Sequence, residues 1–587
     1  MTLSIKGFTC LMGLVEKVTN YMPGTVRNNK NDKLLFQLLL IIYLLCFSFS
    51  VIILHTFEVR PIIYYIVITI IATVVLLEIL FFDTIKNKSN IVLLQIMLLS
   101  LNIIWGVSLK YFFFIGRTDP IVHAWYIDNL LNYGHVTDVF EIYKSFPLWH
   151  ILCSFIYYVP GLYIPSYKIM FITNGLIYSM AIPTIFIISM KIFKNKKVAL
   201  LQSLFVCFYP SFIYFGMSSI ARDIVSFLEL ILILLLLDKN IPKKLLAIIL
   251  TFIMIIYHTA SMPFIIIIFF VIFLLQKTYH IKEKKFITVD FLILAVVMSL
   301  FYWIYIAHDL FLILIDNAFS TSPSGVLTKS IIYTPLNELI NYLQYALWLI
   351  FIIYGVLWSL QSKIASDYAK IFCLAGFLMV TVTFPGPALL LNKLASSLNL
   401  GRFEEYIFLF ISMVGAVGLM GMFYKSNIYS KIFAISLFSL MCFLSISNDF
   451  TASDNPMVKR LFYTFYLTRE EIVAFEHVVS ITGGYLMSDY ITTRYLKSSP
   501  YMDRSHILEV DGKNMKFLRN NEEDILLIRI QELNKRPLKF FTSGTGKFEL
   551  DPSWRTFLDY YHQDLPLWNA LKKNNKIYSS GGVESFN

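Results

Sequence analysis

Charge is what this sequence has least of. Only 15% of its 587 residues are Asp, Glu, Lys or Arg, while 57% are hydrophobic; soluble globular chains carry about a quarter charged residues. Such a composition excludes disorder and a collagen-like fibre, and a mean hydropathy of +0.67 excludes a nucleic-acid-binding module despite the net charge of +11. Cysteine is also scarce, with six in the chain. None forms a C-x-x-C pair and none follows Cys442, so a disulfide framework or zinc site is not expected and the cysteines read as small packing residues. A cleavable signal peptide is not expected: the first long apolar run starts at Leu34, behind Lys30 and Lys33, and at about 20 residues is longer than a signal core.

What the chain has is apolar runs and an uneven spread of charge. Residues 448–587 hold 18 Lys+Arg against 18 Asp+Glu, leaving 31 basic and 20 acidic residues for residues 1–447. A spanning helix needs about 20 apolar residues. Thirteen segments qualify or nearly do: 34–54, 61–82, 91–114, 167–193, 198–216, 221–237, 244–258, 260–276, 287–306, 338–358, 369–391, 404–424 and 430–447, with those at 221 and 244 short. Residues 147–163, broken by Pro160 and Gly161, read as a helix lying on the membrane surface. Phe8, Leu11, Val15 and Val18 fall at helical spacing and predict a short interfacial helix. Alternation of the spans then puts 22 of the 31 basic residues on the side of the N-terminus and nine on the other. The positive-inside rule makes the richer side cytoplasmic. The expected organisation is a cytoplasmic segment 1–33, a transmembrane body 34–447 and an extracytosolic domain 448–587, in a multi-pass protein of the plasma membrane. The fold class expected is therefore an all-α polytopic membrane protein of about thirteen spans with a small α/β C-terminal domain.

The polar residues gather outside. A long loop, 115–166, is polar for this chain, and loops of that length usually carry function. Asp119 followed by Pro120 is a helix-start pattern; Val122, Tyr126 and Leu130 mark one face and Gly134 an end. Asp119 thus sits at a rigid helix start, with His123 one turn on. Asp128, Asp138 and Glu141 read as solvated loop charges. Arg222 and Asp223 open one predicted span, His258 closes the next, and Arg402, Glu404 and Glu405 open a late one. Ionisable groups at membrane depth are costly and count as functional candidates, with snorkelling or mutual pairing as the plain alternative. Residues 308–335 read as a non-helical loop, flexible at Ser320–Gly325 and able to cover a site; Pro385-Gly386-Pro387 breaks another outer end. In the tail, Thr468-Arg469-Glu470-Glu471 is a capping box, strand-like runs follow at Tyr485–Met487, Ile525–Ile530 and Ile577–Tyr578, and a helix is expected near 564–573. The tail carries no phosphate loop and no metal-ligand cluster.

In order and in side of the membrane, these motifs resemble the GT-C superfamily of membrane glycosyltransferases, most of all its archaeal multispanning members. Four stretches carry the resemblance: Gly116-Arg117-Thr118-Asp119-Pro120-Ile121-Val122-His123, Phe146-Pro147-Leu148-Trp149-His150, Arg222-Asp223 and Arg402. The tail lacks the Trp-Trp-Asp-Tyr-Gly motif of oligosaccharyltransferases, with Ser488-Asp489-Tyr490 a distant echo, which favours transfer of a single sugar. The resemblance implies an inverting hexosyltransferase that moves a sugar from a polyprenyl (dolichyl) phosphate to a hydroxyl of a glycan, protein or lipid on the extracytosolic face. It implies Asp119 and His123 as catalytic residues, and Arg222, Arg402, His258 and His150 as contacts to the lipid phosphate and sugar. A Mg²⁺ or Mn²⁺ cofactor is left open, with Asp119 the motif-matched ligand. The alternatives are a transporter or flippase of lipid-linked sugars and a polymerase or ligase of surface polysaccharide. One external cavity joining Asp119, Arg222 and Arg402 would favour the transferase.

Overall fold

The computed structural model describes residues 29–82, 85, 87–114, 116, 119–159, 164–238, 240–279, 285–312, 327–329, 335–362, 366–384, 400–424, 426–448, 466–497, 504–511, 516–518, 524–535, 538–543, 556–560 and 565–587. The interfacial helix expected near residues 8–18, Ser320–Gly325 and Pro385–Pro387 lie outside these.

The apolar runs fold as a helical body. Its helices are α1 (Asn29–Thr56), α2 (Ile62–Phe81), α3 (Lys88–Ser108), α4 (Asp119–Tyr133), α5 (Leu148–Tyr157), α6 (Ser166–Phe193), α7 (Lys196–Cys207), α8 (Pro210–Ser218), α9 (Ala221–Leu236), α10 (Ile241–Tyr257), α11 (Ser261–Thr278), α12 (Val289–Tyr305), α13 (Pro335–Gln361), α14 (Asp367–Thr383), α15 (Phe408–Phe423) and α16 (Ile428–Ser447). Each of the thirteen apolar segments coincides with one of these helices, or with the α7–α8 pair. By length and composition, seven are able to cross a membrane, or eight if α7 and α8, bent by 60°, count as one span. The other five apolar segments fold as shorter helices: α9 and α15 have 16 residues and α10, α12 and α14 have 17. At 1.5 Å per residue such helices run about 24–26 Å, at the lower end of the range of spanning helices. Within the segment 147–163 the helix α5 forms, ten residues long.

Small residues set the tightest packing. A Cβ built on Gly418 of α15 would lie 1.9 Å from the carbonyl oxygen of Phe351 in α13, and one on Gly355 would lie 2.1 Å from that of Val414. Only glycine lets these backbones touch, the usual device of helices that have no hydrophobic drive to pair within lipid. α15 is therefore fixed against α13, and the turn that precedes it inherits that rigidity.

The tail is an α/β unit knitted to the body. Its elements are β3 (Tyr466–Leu467), α17 (Arg469–Ile481), β4 (Leu486–Ser488), α18 (Tyr490–Lys497), β5 (Ser505–Ile507), β6 (Glu509–Asp511), β7 (Lys516–Leu518), β8 (Ile525–Ile528), α19 (Ile530–Lys535), β9 (Leu538–Ser543), β10 (Thr556–Tyr560), α20 (Leu565–Leu571), β11 (Lys576–Ser579) and β12 (Glu584–Phe586). One five-stranded sheet runs β11-β12-β8-β4-β5. The capping box is formed: Glu471 N–H donates to Thr468 Oγ1 at 3.1 Å, and Thr468 N–H to Glu471 Oε2 at 2.9 Å. The body supplies two strands. β1 (Phe113–Phe114) pairs antiparallel with β3. β2 (Leu327–Lys329), from the stretch read as a covering loop, pairs parallel with β10 and completes a second sheet, β2-β10-β9-β6-β7. Tyr111 stacks on Tyr466 with ring centroids 3.8 Å apart. Ile121 of α4 belongs to the tail's core with Leu467, Ile472 and Phe475, while Ala124 and Ile127 of the same helix belong to the body's core. α4 is thus a rivet between the two, and the tail sits at the end of the body that carries the long polar loop.

Candidate functional site

Asp119 is the first residue of α4 and is exposed, while Pro120 and Ile121 behind it are buried. One turn on, His123 faces inward at 3% exposure, against a fully buried His150 in α5. His123 Nδ1 lies 2.8 Å from His150 Nε2. The rings are nearly parallel, at 15°, and Tyr126, Tyr143 and Phe140 meet His150 edge-on. Burial, joined by the charge of Arg222, holds the His123 imidazole down to about 3. Burial and then His123 hold His150 well below the ordinary range. Both rings are neutral at physiological pH, and a neutral imidazole both donates and accepts a hydrogen bond.

Arg222 stands at the start of α9. The turn that delivers it is strained: Ser219 has a left-handed φ of 57°, a cost borne where a side chain must be aimed, and its hydroxyl is tied to Met170 O at 2.6 Å. Asp223 locks the same turn by accepting from Ile220 N–H at 2.8 Å and from Ser218 Oγ at 2.6 Å. Arg222 Nε lies 3.3 Å from Glu405 Oε2, the arginine side chain 18% exposed and the glutamate fully buried. The guanidinium carbon also lies 5.0 Å from the Phe215 ring centroid. Nε makes no hydrogen bond among the described residues, so the pair is held by charge alone and donor capacity remains.

Glu405 ends a 3₁₀ turn (Leu400–Glu405) that also carries Arg402, which is exposed. The next residue, Tyr406, donates to Ser261 Oγ at 2.6 Å, and Ser261 Oγ lies 2.7 Å from His258 Nδ1. His258 sits between α10 and α11, within the field of both Arg222 and Arg402.

Tyr143, in the 3₁₀ stretch Asp138–Ser145, draws these elements together. Its hydroxyl is pushed up to about 12 by burial first and then by Asp119, against the opposing pull of Arg222 and Arg402. Its phenol thus senses all three charged residues that the sequence placed on one external surface. The Arg222 charge also reaches His123 and His258, and His150 lies against His123, so the six candidates form one linked set. The bulk of the remaining loop charge does not join it. Asp128 accepts a hydrogen bond from Ser166 Oγ, and exposed Asp138 pairs with Lys144 at 2.5 Å. Glu141 is exposed too, with a φ of 48°. The sequence reading did not find Tyr143, Ser261 or Tyr406, and it had no signal to find them by: each is an unremarked hydroxyl in an apolar or aromatic stretch. No group of three His, Cys, Asp or Glu side chains that could hold a metal ion occurs among the described residues.

Fold and site together describe a helical chain with membrane-length apolar helices, an α/β tail and a mixed arginine, carboxylate and histidine pocket at the end where the tail docks. No family model and no curated protein matches the sequence. Among solved structures, the chain is similar to the oligosaccharyltransferase of Archaeoglobus fulgidus in its apo form, at 12% identity and a TM-score of 0.45, over 70% of this chain. The match spans 64% of that protein's own length.

Proposed function

We propose that the chain is a membrane glycosyltransferase of the GT-C type that transfers a single sugar, with inversion, from a polyprenyl-phosphate carrier to an acceptor hydroxyl on the extracytosolic face. The observation that carries the reading is the half-shielded Arg222, 3.3 Å from buried Glu405, near the buried His123–His150 pair, 2.8 Å apart. Sugar transfer from a phosphate passes through an oxocarbenium-like transition state. Phosphate is already a good leaving group, so the site needs a base for the acceptor and positive or donor groups for the departing oxygen. Asp119, exposed at the pocket mouth, takes the proton of the acceptor hydroxyl. The acceptor oxygen forms the new bond to the anomeric carbon as the carbon–oxygen bond to phosphate breaks. The electron pair leaves with the phosphate, which Arg222 and Arg402 hold through planar, bidentate-capable guanidinium groups. His123 and His150, both neutral, line the sugar's side of the pocket.

The test uses membranes containing the full-length protein, a polyprenyl-phosphate sugar and an acceptor extract, with Asp119→Asn beside wild type. Positioned general bases contribute about 10²–10⁴-fold, so the variant should lose about a hundredfold or more of kcat with its expression and melting unchanged. Activity within a few-fold of wild type removes Asp119 as the base. A flippase would move the lipid without making a new glycosidic bond, which mass spectrometry of the products distinguishes, and glycan profiling of a deletion strain would identify the acceptor.

A further inference from the structure

Three buried polar groups in the pocket form a chain whose direction can be deduced. His258 Nδ1 accepts from Ala260 N–H at 3.4 Å and lies 2.7 Å from Ser261 Oγ. Ser261 Oγ in turn accepts from Tyr406 Oη–H at 2.6 Å. An amide N–H can only donate, so a proton on Nδ1 would set two hydrogens against each other. The tyrosine hydrogen already points at Ser261 Oγ, which frees the serine's own hydrogen for the imidazole. The consistent order is Tyr406 O–H to Ser261 O–H to His258 Nδ1. Ser261 is fully buried, Tyr406 is 3% exposed and His258 8%, so no bulk water competes for these bonds and leaving one unmade would be costly. With Nδ1 committed, the ring's one proton is on Nε2, the nitrogen left for a ligand. The positive charges of Arg222 and Arg402 nearby oppose a second proton.

We propose that Ser261 and Tyr406 are positioning residues that fix His258 as a neutral Nε2–H donor aimed at the departing phosphate oxygen, a role that rests on the transfer reaction proposed above. The device has a chemical reason. Beside two arginines an imidazolium would repel its neighbours, whereas a neutral ring adds a directed donor without adding charge. Holding the tautomer in advance means that no rearrangement is needed as negative charge develops on the leaving group.

The experiment measures two things on the full-length protein: the ¹⁵N spectrum of labelled histidine, resolved for His258 by comparison with His258→Gln, and the kinetics of transfer from a polyprenyl-phosphate sugar. Wild type should show His258 with Nδ1 bare and Nε2 protonated across neutral pH. Ser261→Ala should mix the two tautomers and lower kcat about fivefold, the worth of one neutral hydrogen bond, with KM for the donor changed less. Ser261→Thr, which keeps the hydroxyl, should restore the single tautomer and kcat to within about twofold, and Tyr406→Phe should fall between. A wild-type spectrum with Nδ1 protonated overturns the proposal. So does a Ser261→Ala protein that melts like wild type and keeps both wild-type tautomer and kcat. If wild type transfers no sugar from the lipid phosphate, the reaction assigned above fails, while the spectrum alone decides whether the wiring stands.

Discussion

Gly418→Ala places one methyl group where the structure has no room for it. The new Cβ would lie 1.9 Å from Phe351 O, 2.8 Å from its carbonyl carbon and 3.1 Å from Gly355 N. A carbon and a carbonyl oxygen approach no closer than about 3.3 Å, so α15 and α13 must part by more than 1 Å, roughly. These three neighbours are backbone atoms and cannot rotate aside as a side chain would. The interface that opens includes Trp348, Phe351, Ile352, Val414 and Val417, all buried, and a gap of 0.5–1 Å already forfeits about a quarter to a half of each dispersion contact. Overpacking a yielding core costs about 1–3 kcal/mol, and the upper figure is expected here. The movement reaches the site as well. α15 follows directly on the turn that holds Arg402 and Glu405, and a displacement of about 1 Å stretches the 3.3 Å Arg222–Glu405 contact past the roughly 4 Å of an ion pair. The assay is thermal unfolding of detergent-purified protein followed by tryptophan fluorescence, together with transfer activity. Gly483→Ala in the tail is the control, since no atom lies within 4 Å of the position its methyl group would take. Gly418→Ala should melt well below wild type and lose activity while Gly483→Ala does neither. A Gly418→Ala protein with wild-type melting refutes the claimed backbone contact.

Three further outcomes follow from the site and its supports. Glu405→Ala leaves the mostly buried Arg222 without its charge partner and should destabilise the fold by about 3–5 kcal/mol, whereas Glu405→Gln, which keeps the shape, should melt closer to wild type; equal melting of the two variants would remove the charge argument. His123 is held near 3, well below its value of 6.5 when unfolded, so the unfolded chain takes up the proton first. Its contribution to stability is complete above pH 6.5 and falls by up to about 1.4 kcal/mol per pH unit below it. Melting temperature should therefore drop between pH 7 and pH 5, and replacing His123 and His150 together by Gln should flatten that slope; an unchanged slope contradicts their buried neutrality. Ile121→Ala should cost about 2–5 kcal/mol and loosen the tail from the body, read as faster limited proteolysis between residues 448 and 466; proteolysis at the wild-type rate would show that the tail docks without it.

How far the sequence could be read depended on the kind of signal involved. Apolar run length and charge side-bias are local or additive, so the segments at 34–54 and 430–447 and the capping box at Thr468 were legible, and so was the α4 start at Asp119. The helix ends were not, because hydropathy registers where a helix is apolar and not where its backbone stops. The roles of Ile121 and of residues 327–329 were hidden for a different reason. Ile121 looks like any apolar residue of a surface helix, yet it packs into the core of a domain that begins more than 300 residues later. Leu327–Lys329 lies in a stretch with no strand pattern and becomes a strand because β10 offers it an edge. The site was legible in its charged members, since charge at the end of an apolar run is conspicuous. Its hydroxyl members, Tyr143, Ser261 and Tyr406, could not be told from the many other Tyr and Ser residues of the chain.

Three of the five shorter apolar helices carry a candidate residue at or beside one end. Arg222 is the second residue of α9, His258 follows the last residue of α10, and Glu405 lies three residues before α15. Each of these helices is about 5 Å shorter than a hydrocarbon core of about 30 Å, close to one helical turn. Neighbouring α6 is longer, at 28 residues. Irregular backbone and ionisable side chains at membrane depth are tolerated only where they line a cavity or are buried in protein. The ends of α9, α10 and α15 thus bring Arg222, His258 and Glu405 to irregular backbone, where Glu405 is fully buried and Arg222 mostly so. Lengthening α9 at its start by a full turn would lift Arg222 away from Glu405 and His258, and should abolish transfer while leaving the apolar packing of the helix intact.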